Sequence, residues 1–277
     1  ITCGAADKFG FTEEETALMC GSHNGEQCHI EIVARILNKI GLDEQHLQCG
    51  IHPPLDKETA RSIKESGSVY SQLHNNCSGK HAAILAGSLY MGYPIDDYLS
   101  AGHPWQKMII ETISTMCDYP AERIGTGIDG CGVPVYAAPL YNAALAAAVL
   151  AKPAGQSTDT ASVCQRIFKA MITYPYMIAG RNRICTDLIT AGGGKIAAKA
   201  GAEGFYLVSV RKEDEGIGIA VKIDDGAERA RDAIVIEILS AMKLLDKTQL
   251  TALAKYHRPA IYNHKRIVVG RINPICP

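Results

Sequence analysis

The sequence predicts an α/β (α+β) fold in which an antiparallel sheet is flanked by helices and a helical insert interrupts the chain. Predicted strands are concentrated in the last third of the sequence, at residues 205–210 and 216–223. Helical hydrophobic periodicity dominates the middle, and a long helix is predicted directly after the strands, at residues 227–245. Because helices and strands are segregated in this way, the α/β (α+β) fold is favoured over an alternating βαβ array.

The helices of the first half are predicted from their boundary signals. Thr12 and Glu15 form a capping-box pattern in front of an apolar stretch. Residues 29–40 carry apolar side chains at helical intervals and end at Gly41. Three further helices are predicted, at residues 80–90, 105–116 and 140–151. The last of these is apolar on nearly all sides, so we expect it to be buried.

The two late strands are rich in β-branched side chains and are separated by a charged turn at residues 211–215, a pattern that predicts an antiparallel hairpin. The tail at residues 262–272 contains three consecutive β-branched residues, Ile267, Val268 and Val269. We expect the tail to add a last strand.

Composition narrows the class of partner. The chain of 277 residues is 47% hydrophobic and 21% charged, as expected of a globular protein. Its 28 basic and 29 acidic residues give a net charge of -1, so we expect a small-molecule substrate and neither nucleic acid nor a membrane. The 10 cysteines show no dense disulfide pattern, and the longest apolar stretch is too short to cross a bilayer. We expect free thiols and a cytoplasmic location.

Residues 125–130 match the G-x-G-x-x-G pattern of dinucleotide-binding loops. That pattern requires a following helix, which Pro134 would break, and no acidic residue between Asp129 and Asp159 is available to hold a ribose. We favour a tight loop that presents Asp129 and Cys131.

The densest group of chemically capable side chains lies at residues 75–81, with the sequence Asn-Asn-Cys-Ser-Gly-Lys-His. One interpretation is a helix N-cap at Ser78 with solvated Lys80 and His81. The other is a nucleophile, a metal ligand or a base. Spacing alone leaves both interpretations open.

Three other segments contain candidate functional residues. Ser22 and His23 form either an N-cap with a surface histidine or a hydroxyl presented to substrate. Lys199-Ala200-Gly201, just before the predicted strand, is similar to the K-T-G element that faces the nucleophile in penicillin-recognising serine hydrolases, but the pattern is short. The loop at residues 181–183 either binds a carboxylate or is a solvated turn.

Five segments together carry a resemblance to a known family. They lie at residues 21–26, 49–53, 76–81, 130–134 and 199–204. Their order resembles the Rhizobium-type, thermolabile family of type II L-asparaginases, from about Cys20 to the final strand. The resemblance implies an L-asparagine amidohydrolase that releases ammonia and L-aspartate. It also implies a fold similar to that of serine β-lactamases and glutaminases.

The resemblance also assigns residue roles. It implies a zinc ion held by Cys77, Lys80 and Cys131, with Asp129 hydrogen-bonded to a ligand as part of the catalytic group. Ser22 and Lys199 match one of the family's two serine/lysine pairs, in which a neutral lysine takes the proton of the attacking hydroxyl. The predicted substrate-binding residues are His81, Asn76 and Arg181.

The family's other pair, a Ser-x-x-Lys, would lie before Ile1. We therefore expect residues 1–277 to form a single asparaginase-like domain without the family's N-terminal segment, with a helical subregion at residues 80–190, in a homodimer. Which serine is the nucleophile stays open. Three alternatives also stay open: a non-catalytic zinc-binding relative, a glutaminase-type amidohydrolase, and a cysteine hydrolase with Cys77 as nucleophile and His81 as base.

Overall fold

Helices surround a small antiparallel sheet in the computed structural model, which describes residues 2–276 and the side chains of residues 4–276. The helices are α1 (Thr2–Phe9), α2 (Glu13–Met19), α3 (Gln27–Lys39), α4 (Lys57–Glu65), α5 (Ser78–Met91), α6 (Pro104–Cys117), α7 (Leu140–Ala151), α8 (Thr158–Thr173), α9 (Pro175–Ile178), α10 (Ile184–Ala191), α11 (Glu228–Ala241), α12 (Lys247–Ala252) and α13 (Ala254–His257). The strands are β1 (Gly125–Ile128), β2 (Pro134–Ala137), β3 (Ile196–Ala200), β4 (Phe205–Arg211), β5 (Gly216–Lys222), β6 (Ala260–Tyr262) and β7 (Val268–Arg271). This mixture of helices with small antiparallel sheets confirms the predicted α/β class.

The predicted helices of the first half are present. Thr12 and Glu15 form the capping box at the start of α2, with the Thr12 N–H donating to Glu15 Oε2 at 2.7 Å. Helix α3 begins two residues earlier than predicted, and the chain leaves it through Gly41, whose φ is 74°. Helix α5 begins at Ser78 itself, so the N-cap interpretation of this serine is wrong and the cap position belongs to Cys77.

The main sheet contains β3, β4 and β5 in antiparallel order. The predicted β4–β5 hairpin is confirmed, but β3 was not predicted. Lys199 therefore lies within a strand, opposite Leu207, rather than just before one. Helix α7 packs on β5 at Gly216 and Gly218, where an added Cβ would overlap backbone atoms of the helix. The helix is less buried than predicted, because its Tyr141 is 79% exposed.

The other two sheets are separate hairpins. Strands β1 and β2 flank a turn in which Gly132 adopts a φ of 85°. No helix follows the G-x-G-x-x-G segment there, and its turn presents Asp129 and Cys131 as expected. The tail adds a last strand as predicted, since β7 contains Val268 and Val269. Among the described strands it pairs only with β6, which was not predicted. Helix α11 ends at Ala241, four residues earlier than predicted.

Apolar side chains from both halves of the chain form one buried core. It includes Leu85 of α5, Leu188 of α10 and Val208 of β4. Among the described residues, no helix combines the length and apolar character that a membrane span requires. All nine cysteines whose side chains are described are free thiols, as expected.

Candidate active site and metal centre

Ser22 and Lys199 are brought together from distant parts of the chain. Ser22 follows the end of α2, and its backbone N–H donates to the carbonyl of Ile178 at 2.8 Å. Gly21 permits this close approach, since a Cβ there would lie 2.7 Å from the carbonyl oxygen of Met177. Nζ of Lys199, which extends from β3, lies 2.8 Å from Oγ of Ser22. A hydroxyl and an amine are therefore in hydrogen-bond contact.

The surroundings of Lys199 favour its neutral form. Burial lowers the pKa of Lys199 below its ordinary value of 10.5. The thiols of Cys185 and Cys77 act in the opposite direction, whereas the positive charges of Arg183 and Lys80 add to the lowering. A neutral amine can accept a proton from a hydroxyl, and an ammonium group cannot. The pair has the chemistry of a nucleophile and its base.

Cys77, Asp129 and Cys131 form a cluster of potential metal ligands. Cys77 directly precedes α5, and the other two residues lie in the turn between β1 and β2. The two sulfur atoms and a carboxylate oxygen all lie within 4.8 Å of one another. Both cysteines are buried, so a cation held there would be shielded from water.

Lys80 adjoins this cluster, one turn of α5 after Cys77. Its Nζ donates to Oδ2 of Asp129 at 3.1 Å. Burial lowers the pKa of Lys80, but the neighbouring sulfur groups of Cys77 and Cys131 and the Asp129 carboxylate outweigh burial and raise it overall. The ammonium group thus supplies the positive charge that the sulfur atoms attract. A metal cation would supply the same charge.

The two thiols influence each other. Hydrogen bonding between them lowers the pKa of Cys131 and raises that of Cys77, and the Cys131 sulfur also lies 3.5 Å from Oδ2 of Asp129. The charge of Lys80 also favours the Cys131 thiolate. Thiolates are preferred zinc ligands, and zinc is usually bound by four ligands in a tetrahedron. The donor set fits zinc, with two sulfur ligands and either the Lys80 amine or the Asp129 carboxylate as the third.

His81 is wholly enclosed behind the cluster. Its Nδ1 lies 2.7 Å from the hydroxyl of Tyr98, and its ring also lowers the pKa of the Cys131 thiol. Nε2 of His81 is buried and forms no well-aligned hydrogen bond with any described residue. Its predicted contact with substrate stays a prediction.

Asn76 connects the segment before α5 to the segment that carries Ser22. Its carbonyl accepts from the His23 N–H at 3.1 Å, and its side-chain oxygen lies 3.0 Å from Nε2 of His52. Asn76 is thus bonded through its backbone to the residue that follows Ser22. Its role in substrate binding also stays a prediction.

Arg181 lies in a group of carboxylates. Its guanidinium pairs with Glu26 at 3.3 Å, Asp56 at 3.2 Å and Glu58 at 2.7 Å. Three acids therefore offset its charge. The role of Arg181 in substrate binding stays a prediction, but its charge is already compensated within the protein.

His23 is a structural residue whose role the sequence did not reveal. The Gly25 N–H donates to Nδ1 of His23 at 3.1 Å, so the ring hydrogen is on Nε2 and donates to Oγ of Ser78. Burial lowers its pKa well below the ordinary value, which keeps the ring neutral. Because His23 is fully buried, the interpretation as a surface histidine is wrong. Only its position beside Ser22 could have drawn attention to it.

Comparison with known proteins gives a family. A search of curated proteins finds no match to the chain. A family model described as L-asparaginase II matches residues 1–274, which is nearly the whole sequence. The match confirms the resemblance inferred from the five motifs. The chain belongs to the L-asparaginase II family.

Proposed function

We propose that the protein hydrolyses the side-chain amide of L-asparagine and releases ammonia and L-aspartate. One observation carries the proposal: Oγ of Ser22 lies 2.8 Å from Nζ of Lys199, an amine whose pKa burial lowers. This pair supplies what acyl transfer requires, a hydroxyl and a base that can deprotonate it. Membership of the asparaginase family supports the choice of an amide substrate.

In the proposed reaction, neutral Lys199 takes the proton of the Ser22 hydroxyl as Oγ bonds to the amide carbon. Lys199 then returns that proton to the departing nitrogen, the C–N bond breaks, and ammonia leaves a Ser22 ester. Water next attacks the ester, losing its proton to Lys199. That proton returns to Ser22 as aspartate leaves.

Zinc is part of the proposal. Cys77, Lys80 and Cys131 would hold the ion, and Asp129 would hydrogen-bond a ligand or bind it directly. Zinc bound there would polarise a carbonyl oxygen or a water molecule. The Lys80 amine can bind a metal only after losing the proton that it holds beside the thiolates, so zinc and this proton compete.

The pKa of Cys77 is relevant to the cysteine-hydrolase alternative. Hydrogen bonding to Cys131 and burial raise the pKa of Cys77, which opposes formation of the nucleophilic thiolate. His81, the base in that alternative, has its Nδ1 beside Tyr98. The serine/lysine centre is therefore the better-supported reaction centre.

Ammonia release from L-asparagine and L-glutamine, measured together with metal content, tests the proposal. Turnover of asparagine by zinc-containing protein supports it. Zinc without turnover of either amide would identify a non-catalytic relative, and faster release from glutamine would identify a glutaminase. Turnover without zinc that thiol alkylation abolishes would identify a cysteine hydrolase.

We also propose that the protein acts on this small molecule as a cytoplasmic homodimer, with a single domain of the serine β-lactamase and glutaminase type. The free cysteines support a reducing compartment. The β6–β7 hairpin supports self-association, because it pairs with no other strand of the described chain and exposes apolar side chains. These include Ile261, Tyr262, Val268 and Val269. Sedimentation of the purified protein would measure its oligomeric state.

A further inference from the structure

The two arginines of the loop after α9 differ in how their charges are compensated. Arg181 is paired with three carboxylates. Arg183 is half-buried, and no carboxylate among the side chains of residues 4–276 forms an ion pair with it. Its one hydrogen bond to a described side chain is donated by Nη1 to Oδ1 of Asn24, at 2.9 Å. Arg183 therefore has no ion pair among the described residues, although the carboxylate of Asp232, which pairs with Arg231, also acts on its charge over a longer distance. A guanidinium without a close carboxylate partner favours an anionic ligand.

Asn24 fixes the orientation of this guanidinium. Nδ2 of Asn24 donates at 3.0 Å to both a carboxylate oxygen of Glu26 and the carbonyl of Arg181. Both partners can only accept, so the amide nitrogen must face them and the amide oxygen must face Arg183. The guanidinium is thus held by one nitrogen, and the rest of its planar fork forms no hydrogen bond with a described side chain.

Arg183 lies on the same side of the molecule as the hydroxyl–amine pair. The segment that carries Ser22 and Asn24 runs beside the loop before Arg183: the Asn24 N–H donates to the carbonyl of Ala179 at 2.8 Å. Asn24 is two residues from Ser22, and the charge of Arg183 acts on both Lys199 and the neighbouring His23. A ligand held by Arg183 would therefore lie in the neighbourhood of Ser22 and Lys199.

Asparagine carries one permanent negative charge, its α-carboxylate, at the end of the molecule opposite the amide that is hydrolysed. We propose that Arg183 binds this α-carboxylate and that Asn24 positions Arg183 for the contact. The inference rests on the proposed function and replaces Arg181 as the carboxylate-binding residue of the loop. It makes Arg183 a specificity-determining residue, because simple amides lack the carboxylate.

The test compares L-asparagine with 3-aminopropanamide, which is asparagine without its α-carboxylate. Arg183→Gln should raise KM for asparagine about 10- to 100-fold, as expected for loss of charge-assisted hydrogen bonds. KM for 3-aminopropanamide should stay within about twofold of the wild-type value. Calorimetric titration with L-aspartate should show a matching loss of affinity, since the product keeps the carboxylate.

Two further variants make the comparison decisive. Arg181→Gln addresses the competing assignment, and a larger rise of KM in it than in Arg183→Gln would overturn the inference. Arg229→Gln is a matched surface control on α11, where the side chain is 70% exposed and should leave both substrates unaffected. If Arg183→Gln does not fold, Arg183→Lys carries the test: a selective, several-fold rise of KM for asparagine supports the inference.

The outcomes separate this inference from the proposed function. A wild-type protein that releases no ammonia from asparagine refutes the proposed function. An active wild-type protein whose KM and aspartate affinity survive Arg183→Gln refutes the inference alone. An equal loss for asparagine and 3-aminopropanamide would also overturn it, because it would show that Arg183 supports the site without binding the carboxylate.

Discussion

The Nε2–H group of His23 donates a hydrogen bond to Oγ of Ser78 over 3.0 Å. His23 follows Ser22 directly, and Ser78 begins the helix that carries Lys80. The bond therefore joins the segment of the hydroxyl–amine pair to the helix beside the cluster of potential metal ligands. Both side chains are fully buried, so no water replaces the bond when one partner is removed.

Removing this hydrogen bond should therefore lower the free energy of unfolding. Ser78→Ala leaves the Nε2–H of His23 without an acceptor, and we expect a loss of about 1–3 kcal/mol in the free energy of unfolding. Ser88→Ala is the matched control, because Ser88 lies in the same helix, is equally buried, and its Oγ has no hydrogen-bond partner among the described residues. Urea denaturation measures both variants. Equal losses would mean that the bond contributes nothing specific.

Lys199→Met should abolish most ammonia release while the protein stays folded. Removing a general base costs about 10²–10⁴ in rate. Lys195→Met is the control, since Lys195 is exposed just before the same strand and should retain wild-type kcat. Circular dichroism establishes that both variants fold. A wild-type kcat in Lys199→Met would exclude this lysine from the mechanism.

Activity should rise with pH on the acid side of its profile. The proposed reaction needs neutral Lys199, and burial lowers its pKa below 10.5. The rising limb of kcat/KM should therefore have its midpoint below that ordinary value. Arg183→Gln removes a positive charge that lowers the same pKa, so its limb should move to higher pH. If the rising limb of kcat/KM is unchanged in Arg183→Gln, or lies at the ordinary lysine pKa, Lys199 is not the base.

The lowered pKa of Lys199 also predicts how the free energy of unfolding changes with pH. Between the lowered pKa of folded Lys199 and its ordinary value, the unfolded chain binds a proton that the folded protein does not. The free energy of unfolding should therefore gain a contribution as pH rises through this window. Lys199→Met should lack that contribution. Identical pH dependence of unfolding in the two proteins would argue against a lowered pKa.

Cys77→Ala and Cys131→Ala should each lose bound zinc, because the two sulfur atoms supply most of the negative charge that holds a cation. Lys80→Met should weaken binding less, since Asp129 remains beside the thiolates. Cys117→Ala is the control, a buried cysteine at the end of α6. Elemental analysis after dialysis measures all four. Full zinc in either of the first two variants would refute the site.

Elements with strong local signals were predictable from the sequence. The capping box of Thr12 and Glu15 fixes the start of α2 through contacts only three residues apart. Strand β3 was missed because its sequence, Ile-Ala-Ala-Lys-Ala, has little β propensity, and its pairing with β4 stabilises it. Helix α4 was missed because Ala60 and Ile63 are its only apolar residues and none of its residues is fully buried, so the apolar face is too small to recognise.

The site depends on contacts that no local pattern encodes. Ser22 and Lys199 are 177 residues apart, and only the family resemblance connected them before the structure. The different states of Arg181 and Arg183 were equally invisible, because the acids that compensate Arg181 come from other segments. Charge compensation is a property of the folded chain, whereas residue type is a property of the sequence.

Gly216 and Gly218 give β5 a face without side chains, and α7 rests directly on its backbone. Only two residues separate the end of β2 from the start of α7. Helix α7 thus connects the main sheet directly to the hairpin that carries Cys131. A methyl group added at Gly218 would press on Ala144 and Ala148 of this helix and displace the hairpin that carries Cys131, almost ninety residues earlier in the chain. The proposed metal site would then depend on a glycine that does not contact it.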